Sequence, residues 1–306
     1  MNSSGHDPAQ ILRAELLRPL PQTVTALAAT IAEAGGGAVA AVLFYGSCLR
    51  DPAAEGILDF YVLVDDYRRY HGSRLPAFLN RLLPPTVSLQ HGRDGAKAKV
   101  AVMSRRQFAG RMRPESLDVT LWSRFCQPVA LAHARDDGVV DWTVEIIGRA
   151  VSTAALWAVW LGPAEGRPAD YWVGLFRQTY RSELRPEGQD RASAIHAAAA
   201  DRYDRLLQAG LTRAGGRVEA GDEGRLRPIP GRAAPWWWLR RATGKLLTVG
   251  RLAKASFTFA NGADYLVWKI ERHTGERITL ARWQREHPLV AAPLILWRLW
   301  RRGIIR

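Results

Sequence analysis

Cysteine is almost absent from this chain: Cys48 and Cys126 are the two in 306 residues. Two thiols supply neither a disulfide framework nor a zinc site, and their scarcity suits a reducing compartment. Long apolar runs are missing too. None reaches the ~18 residues that a membrane span needs, and the longest candidate near the end, residues 289–297, has Pro293 inside it. The opening MNSSGHDPAQ has no basic and apolar regions of a secretory signal, nor the Arg-rich character of a transit peptide. A cytoplasmic protein is therefore expected. Acidic residues are short as well, with 29 Asp and Glu against 43 Lys and Arg for a net charge of +14. The shortage is local. Residues 236–306 hold 14 Lys and Arg but only 4 Asp and Glu. A basic segment of that size implies a polyanionic partner, either nucleic acid or an anionic lipid surface.

What is present is a globular composition, 47% apolar and 24% charged, with length enough for two domains and a sizeable core. The most informative stretch is residues 42–66, VLFYGSCLRDPAAEGILDFYVLVDD. A short apolar run ends on Gly46-Ser47. A second, residues 57–64, is apolar throughout except for Asp59. A carboxylate in an otherwise buried strand is costly unless it is paired or holds a metal. The pattern predicts a strand, a Gly-Ser turn, a spacer and a second strand carrying a metal-binding acid. Gly46 would let the backbone approach a polyphosphate. Ser47 offers a hydroxyl and an N–H to phosphate oxygens. Asp59 would hold Mg²⁺, which binds one or two carboxylates plus substrate phosphates. An ordinary turn beside a satisfied acid is the plainer alternative. Gly-Ser, spacer and Asp together resemble the signature of the nucleotidyltransferase superfamily.

That superfamily usually places a second acid two residues after the first, where both share one strand face and can clamp one ion. Here the position is Tyr61. Asp65 has the right parity, but six residues of strand is about 20 Å, too far to share an ion with Asp59.

Along the chain, residues 9–35 read as a helix broken by Pro19 and Pro21. A helical turn follows Ser47, and residues 67–83 read as one helix stopped by Pro84-Pro85. Residues 97–103 alternate as a strand, with Lys97 and Lys99 on one face, as either a solvated edge or a phosphate-neutralising face. Residues 104–132 read as mostly helical, and helices dominate from 141 to 211. Glu183 is a candidate for the missing acid, with a surface ion pair as the plainer reading. Residues 214–235 are rich in Gly, Pro and charge and read as a flexible linker. This divides the chain into 1–140, a helical part 141–213, the linker, and a basic, aromatic region 236–306. Trp236-Trp237-Trp238 and the Trp- and Arg-rich tail 287–306 suit a membrane interface. Stacking on nucleic-acid bases is the other use of such residues.

Tyr45-Gly46-Ser47, Leu58-Asp59-Phe60, Val64-Asp65-Asp66 and His71 resemble the mitochondrial-type phosphatidate cytidylyltransferase family, the translocator assembly and maintenance proteins. Those proteins share the lack of an acid at the Tyr61 position. Arg124 to Val129 is similar to their Gly-Arg-Leu-x-Lys-Pro-Val segment, with Ser123 and Gln127 in place of the Gly and Lys. The match covers residues 40–130 well and 150–190 loosely, as in a divergent bacterial relative. The resemblance implies an α+β fold, a nucleotidyltransferase-like mixed sheet with flanking helices followed by a mainly helical C-terminal part. It implies CTP and a lipid phosphate, phosphatidate, giving CDP-diacylglycerol and pyrophosphate with Mg²⁺, at the inner face of a membrane. Asp59 would take the metal, Gly46 and Ser47 the triphosphate, Lys97 or Lys99 phosphate charge, and Arg124 a phosphate contact. Asp65 and His71 carry over without an assigned step. A nucleic-acid or sphingolipid phosphate acceptor, and a non-catalytic membrane-binding protein, remain as alternatives.

Overall fold

A computed structural model describes residues 8–51, 56–92, 96–182, 189–221, 225–228 and 234–258. The prolines at 19 and 21 separate α1 (Pro8–Leu16) from α2 (Gln22–Ala34). Then come β1 (Val39–Tyr45), the short α3 (Ser47–Arg50), β2 (Leu58–Val64), α4 (Tyr67–His71) and α5 (Arg74–Leu82). They are followed by β3 (Thr86–His91), β4 (Lys97–Ser104), α6 (Arg105–Gly110), α7 (Val119–Phe125) and β5 (Val129–Ala134). The rest is α8 (Asp137–Leu161), α9 (Pro168–Ser182), α10 (Gln189–Ala197), α11 (Ala200–Arg213), a hairpin of β6 (Val218–Ala220) and β7 (Leu226–Pro228), and α12 (Ala234–Thr258).

The main sheet has the order β3-β4-β2-β1-β5. β2 and β4 run parallel and the other pairs antiparallel. The fold is thus α+β, with a mixed sheet, flanking helices and a mainly helical C-terminal part. β1 and the last five residues of β2 are buried on both faces, which is why they read as unbroken apolar runs. One face packs Val42, Phe44, Phe60 and Val62 against Val24, Leu27 and Ile31 of α2. The other carries Leu43, Tyr45, Tyr61, Leu63 and Met103 into a core shared with α7, α8, α9 and α11. That second core is continuous from the sheet into the helical part. Among the described helices, α8 alone is long and apolar enough to cross a bilayer, and 72% of its apolar window is buried inside the protein.

The structure departs from the sequence reading in three places. Residues 104–132 are not mostly helical: β5 starts at Val129 and pairs with β1 from Tyr45↔Val129 to Ala41↔Ala134. Its VALAHA sequence has little β-branched content, so only the long-range pairing specifies it. The helix over 67–83 is two helices, because Gly72 closes α4 in the left-handed region at φ +67°. The stretch read as a linker holds the β6–β7 hairpin, with Gly166 bridged to Leu226.

Helix α12 shows where part of the C-terminal charge goes. Arg240 donates to the carbonyls of Pro114 (2.7 Å) and Ser116 (3.0 Å) and lies 4.3 Å from the ring centre of Trp157. Arg251 donates to the Pro84 carbonyl at 2.9 Å and ion-pairs with Asp118, which is also paired with Arg111 at 3.2 Å. Lys254 donates to the Pro85 carbonyl and to Thr86 Oγ1 at 2.8 and 3.2 Å. These three cations fasten α12 to the sheet domain rather than facing a polyanion. The Trp triplet divides as well: Trp237 is 5% exposed and packs 5.2 Å from Trp157, while Trp238 is 65% exposed. The tail 287–306 lies outside the described residues, as does Glu183.

Candidate functional site

β1 ends at Tyr45, and the chain must leave the sheet at the point where β2 enters it. Tyr45 is the register partner of Asp59 on β2, and Asp59 is in turn the partner of Lys99 on β4. Three neighbouring strands therefore bring the Gly-Ser turn, the acid and the lysine to one edge. Gly46 adopts φ +96° and ψ −160°, a conformation open essentially to glycine alone. A Cβ there would stand 2.7 Å from Asp59 Oδ2. Glycine is required twice, by its backbone and by the carboxylate against it. The other oxygen, Oδ1, accepts from Lys99 Nζ at 3.3 Å.

Asp59 is not deep in the sheet, as its apolar neighbours suggest. It is the second residue of β2, and its side chain is 25% exposed at the mouth of a cleft. The cleft is open to solvent, and its lining includes Ser47, Arg50, Lys99, Arg124, Gln127 and Arg191. Among the described residues, four cationic side chains and one carboxylate thus line it. The Arg124 guanidinium sits 5.5 Å from the ring centre of Tyr45.

Below the cleft the floor is aromatic. Tyr61, fully buried, packs edge-on against Phe125 at 5.1 Å and near Tyr45 at 6.2 Å, and its hydroxyl meets Met103 Sδ at 3.8 Å. The position where a second acid would stand is therefore core. The wall carrying Gln127 and Pro128 is braced from behind. Glu15 accepts from the backbone N–H of Val129 at 3.2 Å and ion-pairs with Arg202, whose guanidinium donates to the Cys126 carbonyl at 2.8 Å. Burial pushes the Cys126 thiol up to about 12, so it stays protonated.

Of the sequence candidates, Gly46, Ser47, Asp59, Lys99 and Arg124 converge on the cleft. Lys97, opposite His91 at the start of β4, is exposed and does not line it. Asp65 lies at the far end of β2, ion-paired with Arg105 and Arg135. His71 stands near Asn80 at 3.1 Å and between the rings of Tyr67 and Tyr70. Burial and the nearby Lys254 charge lower its pKa. Cys48 is partly buried, its thiol 3.7 Å from the Ile57 carbonyl. Sequence reasoning missed Arg50 and Arg191. Arg50, three residues after Ser47, was within reach of a helical-turn argument. Arg191 comes from α10, more than 130 residues further along, where no local signal marks it.

Among the described residues no group of three His, Cys, Asp or Glu forms a metal cluster. Asp59 alone fits a magnesium ion that arrives with phosphates, because such an ion is commonly held by one or two carboxylates with substrate oxygens and water. It does not make a metal cage on its own.

No protein-family model matches the chain, and no curated protein matches it. Among solved structures it is similar to a nucleotidyltransferase-like protein from Exiguobacterium sibiricum 255-15, at 12% identity over 92% of each chain with a TM-score of 0.27. Neither fold nor function follows from a likeness at that level.

Proposed function

We propose that the protein is a nucleotidyltransferase that moves a nucleotidyl group from a nucleoside triphosphate to a phosphate-bearing acceptor, with magnesium as the cofactor. The observation that carries this reading is the meeting of Gly46, Asp59 and Lys99 at the mouth of a cleft lined by three further cations. A triphosphate needs close backbone approach, positive charge and a carboxylate for its ion, and these residues supply all three. Asp59 would hold the magnesium. When bound, the ion adds charge neutralisation at the phosphates.

The chain's own residues do the remaining work. Gly46 and Ser47 receive the triphosphate. Lys99 and Arg50 offset its charge, and Arg124 and Arg191 face the space left for the acceptor. A phosphate monoester is mostly dianionic at neutral pH, its second pKa being about 6. It can attack without a general base, and among the described residues no histidine lines the cleft. An acceptor oxygen forms a bond to the α-phosphorus, the bond from that phosphorus to the bridging oxygen breaks, and pyrophosphate leaves. Positioning and electrostatics supply the rate.

The finer assignment is that CTP is the donor and a lipid phosphate such as phosphatidate the acceptor, giving CDP-diacylglycerol at the cytoplasmic face of a membrane. It is supported by the resemblance of residues 40–130. The test is pyrophosphate release by the purified protein with Mg²⁺, each of the four triphosphates, and a panel of lipid and non-lipid phosphates. Release confined to CTP with lipid phosphates is the expected result. The burial of Tyr61 where a second acid would stand favours one other reading, a non-catalytic lipid-binding protein. Absence of release with every pair would select it.

A further inference from the structure

α5 has the sequence RLPAFLNRL, and its apolar residues are not all inside. Leu75, Phe78 and Leu82 are 67%, 61% and 69% exposed. Their i, i+3, i+7 spacing puts them on one side of the helix. α12 repeats the pattern: Trp238, Leu246 and Val249 are 65%, 72% and 54% exposed. Their spacing, with the exposed Ala242 between, again follows one side. The opposite side of α12 is the one fastened down by Trp237, Arg240, Arg251 and Lys254. α12 passes the C-terminal end of α5: Gly250 lies against Leu83, the residue that follows α5, with a Cβ position 3.1 Å from its side chain.

Charge singles out the occupant. Neither helix contains an acidic residue. The cations not turned inward, Arg74 and Arg81 on α5 and Arg241 and Lys245 on α12, are exposed. On α12, Arg241 and Lys245 border the apolar residues along one edge, and on α5 Arg74 and Arg81 do the same. Large exposed apolar side chains edged by cations, with no anion on either helix, suit a surface that is greasy inside and negative outside.

We infer that α5 and α12 together form a docking face for an anionic lipid bilayer. Leu75, Phe78, Leu82, Trp238, Leu246 and Val249 would enter the headgroup–acyl boundary, and the four cations would meet lipid phosphates. This deepens the membrane part of the proposed function. It moves the contact onto a helix of the sheet domain and does not depend on the chemistry of the cleft.

The test is sedimentation of the full chain with vesicles of phosphatidylcholine alone and of equal parts phosphatidylcholine and phosphatidylglycerol. Two variant sets are compared with the wild type: Leu75→Ser with Phe78→Ser and Leu82→Ser, and Arg74→Glu with Arg81→Glu, Arg241→Glu and Lys245→Glu. All these side chains are exposed, and unchanged thermal melts confirm folding. Wild type should bind the anionic vesicles and not the neutral ones. The serine set should weaken binding about tenfold or more, given the apolar area withdrawn, and the glutamate set should abolish it. The inference is overturned if wild type fails to bind, or if folded serine variants bind as wild type does. It is also overturned if only charge reversal matters, as for a nucleic-acid surface, or if the serine set splits a dimer and leaves vesicle binding intact. Binding is read without turnover. Pyrophosphate release with a water-soluble, short-chain lipid phosphate should be the same in the serine set as in wild type, which separates failure of docking from failure of the nucleotidyl-transfer reading.

Discussion

Replacing Gly46 with alanine tests the site at its narrowest point. Two separate costs arise. The backbone at φ +96°, ψ −160° lies where non-glycine residues are strained by roughly 1–3 kcal/mol. The new methyl would also sit 2.7 Å from Asp59 Oδ2, a distance at which the carboxylate has to move. Moving it breaks the 3.3 Å contact to Lys99 Nζ. That contact is part-exposed and worth at most about 1 kcal/mol, so the stability loss should remain roughly 1–4 kcal/mol. Activity should fall much further, by on the order of 10²-fold, because a misplacement of about 1 Å in a reacting constellation has that effect. Urea unfolding followed by circular dichroism reads the first quantity and pyrophosphate release the second. A double-mutant cycle with Asp59→Ala isolates the clash: in that background the backbone strain persists and the collision with the carboxylate disappears. The stability cost of Gly46→Ala should therefore be smaller there. Equal costs in both backgrounds, or full activity in Gly46→Ala, would refute the reasoning.

Asp59→Asn should reduce turnover to background while shifting unfolding by no more than about 1 kcal/mol, since it disturbs only one part-exposed ion pair; a parallel drop in stability would mean a structural role. Lys99→Met should lower kcat/KM by about 10²–10³, as expected for loss of one preorganised charge at the reacting phosphates, measured by the same assay. Tyr61→Asp should not restore a carboxylate pair. It places a charge in the aromatic floor and should destabilise by about 4 kcal/mol or more, visible as a collapse of the urea midpoint. Burial pushes the Asp118 carboxyl up, but Arg251, Arg111 and Thr120 outweigh it and hold its pKa below the ordinary value. A depressed folded-state pKa gives stability that is present above the unfolded value, about 3.9, and lost as pH falls through the folded one. Asp118→Asn should cost about 3–5 kcal/mol at neutral pH and flatten the acid limb of stability, which urea titrations from pH 7 downward would show.

The site was legible because its parts are close in sequence and each has a local signature. Gly46-Ser47 ends one apolar run, Asp59 interrupts the next, and the alternation around Lys99 marks a strand. The same alternation could not say that Lys97 falls short of the cleft, because that depends on where β2 begins beside β4. Asp59 was expected to be buried, since its neighbours are apolar, yet it stands at the strand's open end. β5 was hidden because its alanines favour helix over strand, and its partner, β1, lies some ninety residues earlier. The inward-facing cations of α12 were illegible for a related reason. Arg240, Arg251 and Lys254 are held by backbone carbonyls of residues 83–85 and 114–116, acceptors that no composition reveals. Counting them as solvated charge overstated what the C-terminal region offers to a polyanion.

The measurement that bears most directly on the central claim is pyrophosphate release from CTP and vesicle-borne phosphatidate with Mg²⁺, run side by side for the wild type and Asp59→Asn. Steady release by the wild type, dependent on both substrates, and none by the variant is the expected result. Silence from the wild type with every triphosphate and phosphate acceptor, or equal release by the two proteins, would contradict it.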